Sequence, residues 1–130
     1  MATTRVGVIS DTHGLLRPEA VSALAGSDFI VHAGDVGDPD IVDRLSQIAP
    51  VTAVRGNVDT GAWALQLPAA NILEVEGISI YVLHIRGELD LKADAAGFAA
   101  VIYGHSHKPA TEMKNGVLYF NPGSRGSEEI

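Results

Sequence analysis

Carboxylates, an amide and imidazoles recur in this chain where apolar runs end. Asp11 and His13 follow Val6, Val8 and Ile9, Asp35 follows the run from Phe29 to His32, and Asn57 follows Val51 to Val54. Further on, His84 follows Ile78 to Leu83, and His105 and His107 follow Ala99 to Tyr103. In an extended chain residues i and i+2 point the same way, so Asp11 and His13 can aim at one point past the end of a strand. Open α/β sheets place ligands there. An oxygen and an imidazole nitrogen converging on one point suit Mn²⁺, Fe²⁺ or Zn²⁺. Taken alone, Asp-x-His reads more readily as a turn cap beside a surface histidine. The repetition changes that, because four of the five histidines belong to this set. Seven such donors exceed what one four-coordinate zinc needs and suit two cations roughly 3.5–4 Å apart that share a negatively charged ligand. An amide such as Asn57 can offer one of them a neutral oxygen.

Strands and helices must carry these residues to one place. Val6–Ile9, 28–32 and Val51–Val54 read as short buried strands. Pro18 to Ala25, closed by Gly26, and a segment capped by Asp38 with Pro39 at its first position read as the helices between them. The order β-α-β-α-β belongs to a parallel sheet with right-handed crossovers. The second half changes character. Leu73–Val75 and Ile78–Leu83 flank Glu76-Gly77 as a hairpin, Glu88 to Ala96 is expected to be a short helix, and Ala99–Tyr103 is a buried strand. A second hairpin turns at Asn115-Gly116. One domain over residues 1–130 is expected.

Composition narrows the partners. The 130 residues are 46% apolar and 19% charged, with a net charge of −7 and no cysteine. Disulfides and thiolate metal sites are excluded. The acidity opposes long nucleic acid and anionic membranes, whereas a small phosphate ester remains compatible because bound cations dominate their local field. With no leader or spanning segment in view, a cytoplasmic setting is the expectation.

Asp11-Thr12-His13, Gly34-Asp35, Gly56-Asn57-Val58-Asp59, Leu83-His84 and Gly104-His105-Ser106-His107, followed by Asn121-Pro122-Gly123-Ser124, together resemble the calcineurin-like metallophosphoesterases, most closely their small bacterial and archaeal phosphodiesterase branch. The resemblance implies a four-layer α-β-β-α sandwich, here with a shortened C-terminal sheet. It implies that Asp11, His13 and His107 hold one cation and Asn57, His84 and His105 the other, with Asp35 bridging. Manganese is the first choice, with nickel, zinc, iron or magnesium as alternatives. Asp35, Asn57 and His105 are the expected catalytic set, and Asn57 and Arg125 the expected substrate contacts. A hydroxide held between the cations would attack phosphorus in line with the leaving alkoxide. Lowering the pKa of water from 15.7 to about 7 is worth on the order of 12 kcal/mol, against about 3–5 kcal/mol from a positioned base. A dedicated base is therefore unnecessary. The competing function is a non-catalytic protein-binding scaffold of the same fold.

The sequence departs from the family pattern at three places. Val58 stands where many relatives have a histidine, Ile85 stands where they have a glycine after His84, and only seven residues follow Gly123. A β-branched residue resists positive φ, so the loop around His84 should differ or Gly87 should take over. The short end predicts an open sheet edge, and on that ground a homodimer. Outside the set, His32 reads as a hydrogen-bonded core or supporting residue, Asp59 as an acceptor holding its loop, and Trp63 as packing. Ser106 and Ser124 lack the sequence context of a nucleophile.

Overall fold

The structure is a computed structural model that describes residues 4–124 and the backbone alone of residues 127–129. Three parallel strands, β1 (Val6–Ile9), β2 (Phe29–His32) and β3 (Val51–Ala53), alternate with helices α1 (Pro18–Leu24) and α2 (Pro39–Ser46). The second half gives β4 (Ala70–Val75), β5 (Ile78–Leu83), β6 (Phe98–Ile102), β7 (Ala110–Lys114) and β8 (Val117–Asn121), and β9 (Ser127–Glu129) closes the chain as described. The first sheet runs β3-β2-β1-β9 and the second β4-β5-β6-β8-β7. The last strand pairs antiparallel with β1, so the chain returns to the first sheet and leaves β7, exposed along its length, as an edge of the second.

Side-chain alternation explains the layering. In β1, Val6 and Val8 face the second sheet, where with Val31 and Val54 they meet Val82, Ile102 and Phe120. Ile9 and Ile30 face the other way and pack on Ala20, Leu24, Ile41 and Leu45 of the two helices. Helix α2 starts where expected: the Asp38 carboxylate accepts from Asp40 N–H at 2.9 Å and Pro39 opens the first turn. The outer face of the second sheet carries Leu83, Val101, Tyr103 and Tyr119, covered by residues 89–93.

That cover is not the helix expected over Glu88–Ala96. A 3₁₀ turn at Arg86–Glu88 and isolated turns before Gly97 take its place. Leu89, Leu91 and Ala93 all reach the same apolar cluster, a two-residue spacing that suits extended chain and would scatter them around a helix. The fourth layer is thus irregular chain. No helix among the described residues is long and apolar enough to cross a membrane.

Candidate metal centre

The loops after β1, β2 and β3 lie side by side because their backbones bond to one another. Asp11 N–H donates to Gly34 O at 3.0 Å, His13 N–H to Asp35 O at 2.9 Å and Gly14 N–H to Val36 O at 2.8 Å. Asp59 ties the second loop to the third, its carboxylate accepting from the N–H groups of Val36, Gly37 and Gly56. It acts as the loop-holding acceptor expected from sequence. Asn121 fixes the fourth loop by donating to Gly104 O and Ser106 Oγ, both at 3.1 Å. That role was not legible beforehand, although Asn-Pro-Gly marked the position.

These loops bring all seven candidate ligands together. Asp11, His13, Asp35 and His107 offer ligand atoms within 4.8 Å of one another, and so do Asp35, His84 and His105, with Asp35 common to both groups. Asn57 Oδ1 joins the second group, 3.1 Å from His105 Nδ1. Five of the seven residues, Asp11, His13, Asp35, His105 and His107, have φ between 48° and 75°. Each left-handed residue costs about 1–3 kcal/mol, a strain that persists only where the surroundings impose it and that clusters at functional sites. Asp and His tolerate this region better than most residue types. Gly104 has no Cβ for a different reason: one would strike Ser10 Oγ and the Asp11 carboxylate.

The polar atoms at the centre are mismatched as they stand. His84 Nδ1 lies 2.8 Å from Ala33 O, and a carbonyl only accepts, so the ring proton sits on Nδ1. In the neutral ring Nε2 then carries the lone pair, and it faces Asp35 Oδ2 at 3.1 Å and Asp11 Oδ1 at 3.9 Å. Asp11 Oδ1 and His84 Nε2 are buried with no hydrogen-bond partner among the described residues. Asp11 Oδ2, by contrast, accepts from Ser10 Oγ at 2.6 Å and His105 N–H at 3.1 Å, and Asp35 Oδ1 accepts from Val58 N–H at 3.0 Å. One oxygen of each carboxylate is anchored and the other is left facing the centre. Two more ring nitrogens, His13 Nε2 and His107 Nε2, stand 3.3 Å apart beside them. Converging acceptors without a donor fit divalent cations, and anchored second atoms are what orients ligands toward them.

The remaining expectations are placed as follows. Ile85 is extended, with φ −114° and ψ 114°, so a β-branched residue after His84 meets no strain. Gly87 does not take over a left-handed position, lying inside the 3₁₀ turn with no positive φ. Ser106 Oγ is engaged with Asn121 and Lys108, and Trp63 packs on the helix-side core, both as expected. Arg125 lies outside the described residues. Arg17 was missed: with His13, Leu15 and His107 it lines a cleft of about 290 Å³. A second cleft, of about 440 Å³, is lined by Asn57, His84, Tyr81, Glu88 and Asp90.

A family model described as the calcineurin-like phosphoesterase superfamily domain matches residues 4–129. The chain belongs to that family. A protein named probable metallophosphoesterase in Methanocaldococcus jannaschii is 40% identical over 135 residues, covering 94% of this chain and 68% of its own length. Phosphodiesterase YfcE of Escherichia coli K12 is 29% identical, covering 88% of this chain and 76% of its own. Among solved structures, Vacuolar Protein Sorting 29 from Cryptosporidium parvum superposes with a TM-score of 0.78 at 21% identity, over 95% of this chain and 75% of that one. At that identity the likeness shows the fold alone. Together these findings establish a metallophosphoesterase-fold member of a family that binds divalent metals.

Proposed function

We propose that this chain is a cytoplasmic hydrolase of a small phosphodiester that works with two divalent cations, manganese foremost. Asp11, His13 and His107 would hold one cation, Asn57, His84 and His105 the other, and Asp35 both. The observation that carries this reading is the unpartnered, buried pair Asp11 Oδ1 and His84 Nε2, set beside Asp35 Oδ2. Two cations at such a centre acidify a water and offset the charge of phosphoryl oxygens. The protein's own part is positioning. Ala33 O fixes the ring of His84, Ser10 and His105 N–H fix Asp11, and Val58 N–H fixes Asp35. Val58 supplies no proton to a leaving group, which favours esters whose leaving alkoxide needs little help.

The two clefts favour a diester over a monoester. One is lined by Asp11, His13 and His107, the other by Asn57 and His84, so phosphorus at the centre would have room for a substituent beside each ligand group. Buried acceptors left without partners support bound cations, and the relatives named phosphodiesterase support hydrolysis over a scaffold. The deciding experiment is metal analysis of the purified chain combined with a panel of phosphomonoesters and phosphodiesters under Mn²⁺, Ni²⁺ and Zn²⁺. Diester turnover with two bound equivalents supports the reading, and bound metal without hydrolysis of any ester overturns it. Edge strand β7 is the proposed contact in a homodimer, and a concentration-independent monomer mass would remove that element.

A further inference from the structure

His32 is fully buried beneath the cation-binding loops, and both of its ring nitrogens are committed. Gly34 N–H donates to Nδ1 at 3.1 Å, so Nδ1 carries a lone pair. The ring proton is therefore on Nε2, which donates to Thr12 Oγ1 at 3.0 Å, and Thr12 Oγ1 in turn donates to Val36 O at 2.8 Å. The proton directions follow one another without conflict. A neutral imidazole can accept on one side and donate on the other, whereas an imidazolium would put a proton against Gly34 N–H. Burial keeps the ring neutral, lowering its pKa to about 4; the Asp59 carboxylate opposes this, and the His84 and His13 rings add to it.

This chain of bonds joins two of the three loops that hold left-handed candidate ligands. Thr12 sits between Asp11 (φ 55°) and His13 (φ 48°), while Gly34 and Val36 flank Asp35 (φ 55°). Helical or extended backbone at Asp11 or His13 would turn the side chain away from the centre. Side-chain hydrogen bonds at Thr12 oppose that relaxation, and the geometry makes them depend on which nitrogen of His32 holds the proton.

We propose that His32 is a positioning residue acting through Thr12: its Nε2–H tautomer, set by Gly34, locks the Asp11-Thr12-His13 turn against the Gly34-Asp35-Val36 loop in the conformation that presents ligands. The proposal rests on the reading of Asp11, His13 and Asp35 as cation ligands.

The test is calorimetric titration of the metal-free chain with Mn²⁺. Thr12→Val keeps shape and removes the hydroxyl, and is expected to weaken binding by roughly 10–100-fold, the usual cost of losing a group that orients a ligand, with an unchanged near-UV spectrum. Thr12→Ser is expected to restore binding to near the parent value. If His32 acts through Thr12, adding His32→Phe to Thr12→Val costs no further affinity. The histidine ring resonances of the parent, read by nitrogen-15 NMR, should show the Nε2–H form at His32. Parent-like Mn²⁺ binding by Thr12→Val, failure of the serine to rescue, or an Nδ1–H tautomer would overturn the proposal even if His32→Phe does not fold. A parent chain that binds no Mn²⁺ overturns the cation reading as well, and is told apart because it fails before any substitution is made.

Discussion

The two ligand groups that share Asp35 are built from opposite materials. The first adds a second carboxylate, Asp11, but its imidazoles stand open to solvent, with side-chain exposures of 39% for His13 and 47% for His107. The second has His84 at 4% exposure, pinned through Nδ1, but its His105 and Asn57 are exposed as well and Asn57 contributes only a neutral oxygen. Charge favours the first group, and the pinned ring of His84 is the second group's one advantage in preorganisation. A unit charge about 4 Å away is worth roughly 4 kcal/mol at an effective dielectric near 20, while immobilising each exposed side chain costs about 0.5–1.5 kcal/mol. Charge wins by this estimate, so the first position should fill first and the second should be the labile one.

Asp35→Ala should erase the comparison altogether. Its Oδ2 stands within 3.7 Å of His13 Nε2 and 3.1 Å of His84 Nε2, so both groups lose their common anion. Hydrolysis is expected to disappear and bound metal to fall at both positions, by more than the roughly 10–100-fold typical of losing an outer partner. Wild-type turnover with Mn²⁺ in this variant would dismantle the two-site reading. A smaller test contrasts the buried imidazoles with the open ones. His32 is neutral when folded, with its pKa lowered to about 4 by burial, against 6.5 for an unperturbed imidazole. The unfolded chain therefore binds the extra proton between those values, and stability falls as pH drops through that window. By linkage the loss approaches about 3 kcal/mol at the acid end. Urea midpoints of wild type and His32→Phe across this range check it, and parallel pH slopes would refute the assignment.

Asn57→Asp sharpens the contrast between the groups directly. It adds the charge that the second group lacks, and Mn²⁺ affinity at the labile position should rise at least about tenfold. Competition with a chelator reads the two positions separately. An unchanged order of release would mean that preorganisation, not charge, sets the difference.

Legibility followed the same division between charge and geometry. Residue type marked all seven candidate ligands, because Asp, Asn and His recur where buried runs end. The β-α-β-α-β half was equally plain, since Pro18, Asp38-Pro39 and Gly26 punctuate it with local chemistry. What the sequence hid depends on tertiary packing. Leu89, Leu91 and Ala93 looked helical in composition, yet only the outer face of the second sheet decides that they follow an irregular path. The left-handed φ of the ligands, the anchoring of Asp11 by Ser10, and the tie from Asn121 to Gly104 join residues far apart in the chain or set by backbone geometry. No local pattern encodes them. Arg17 escaped notice because a charged residue just ahead of Pro18 reads as an ordinary solvated helix entry.

The smallest expected effect belongs to Arg17, and it carries the comparison out to the clefts. Beside the first group, Arg17 forms no ion pair among the described residues and shares its cleft with Leu15, His13 and His107. Beside the second group, the cleft presents the exposed carboxylates Glu88 and Asp90, and its Arg55 guanidinium donates to Leu67 O. The clefts therefore differ in the charges they expose, since Asp11 in the first is buried and Arg17 is not, and a diester with an anionic substituent should seat that end at Arg17. An exposed charge pair is worth about 0.2–1 kcal/mol, so Arg17→Ala should lower kcat/KM for a carboxylate-bearing diester about two- to fivefold and leave a neutral diester of the same leaving group unchanged. Equal losses on the two substrates would show that Arg17 supports the loop and does not read the substituent.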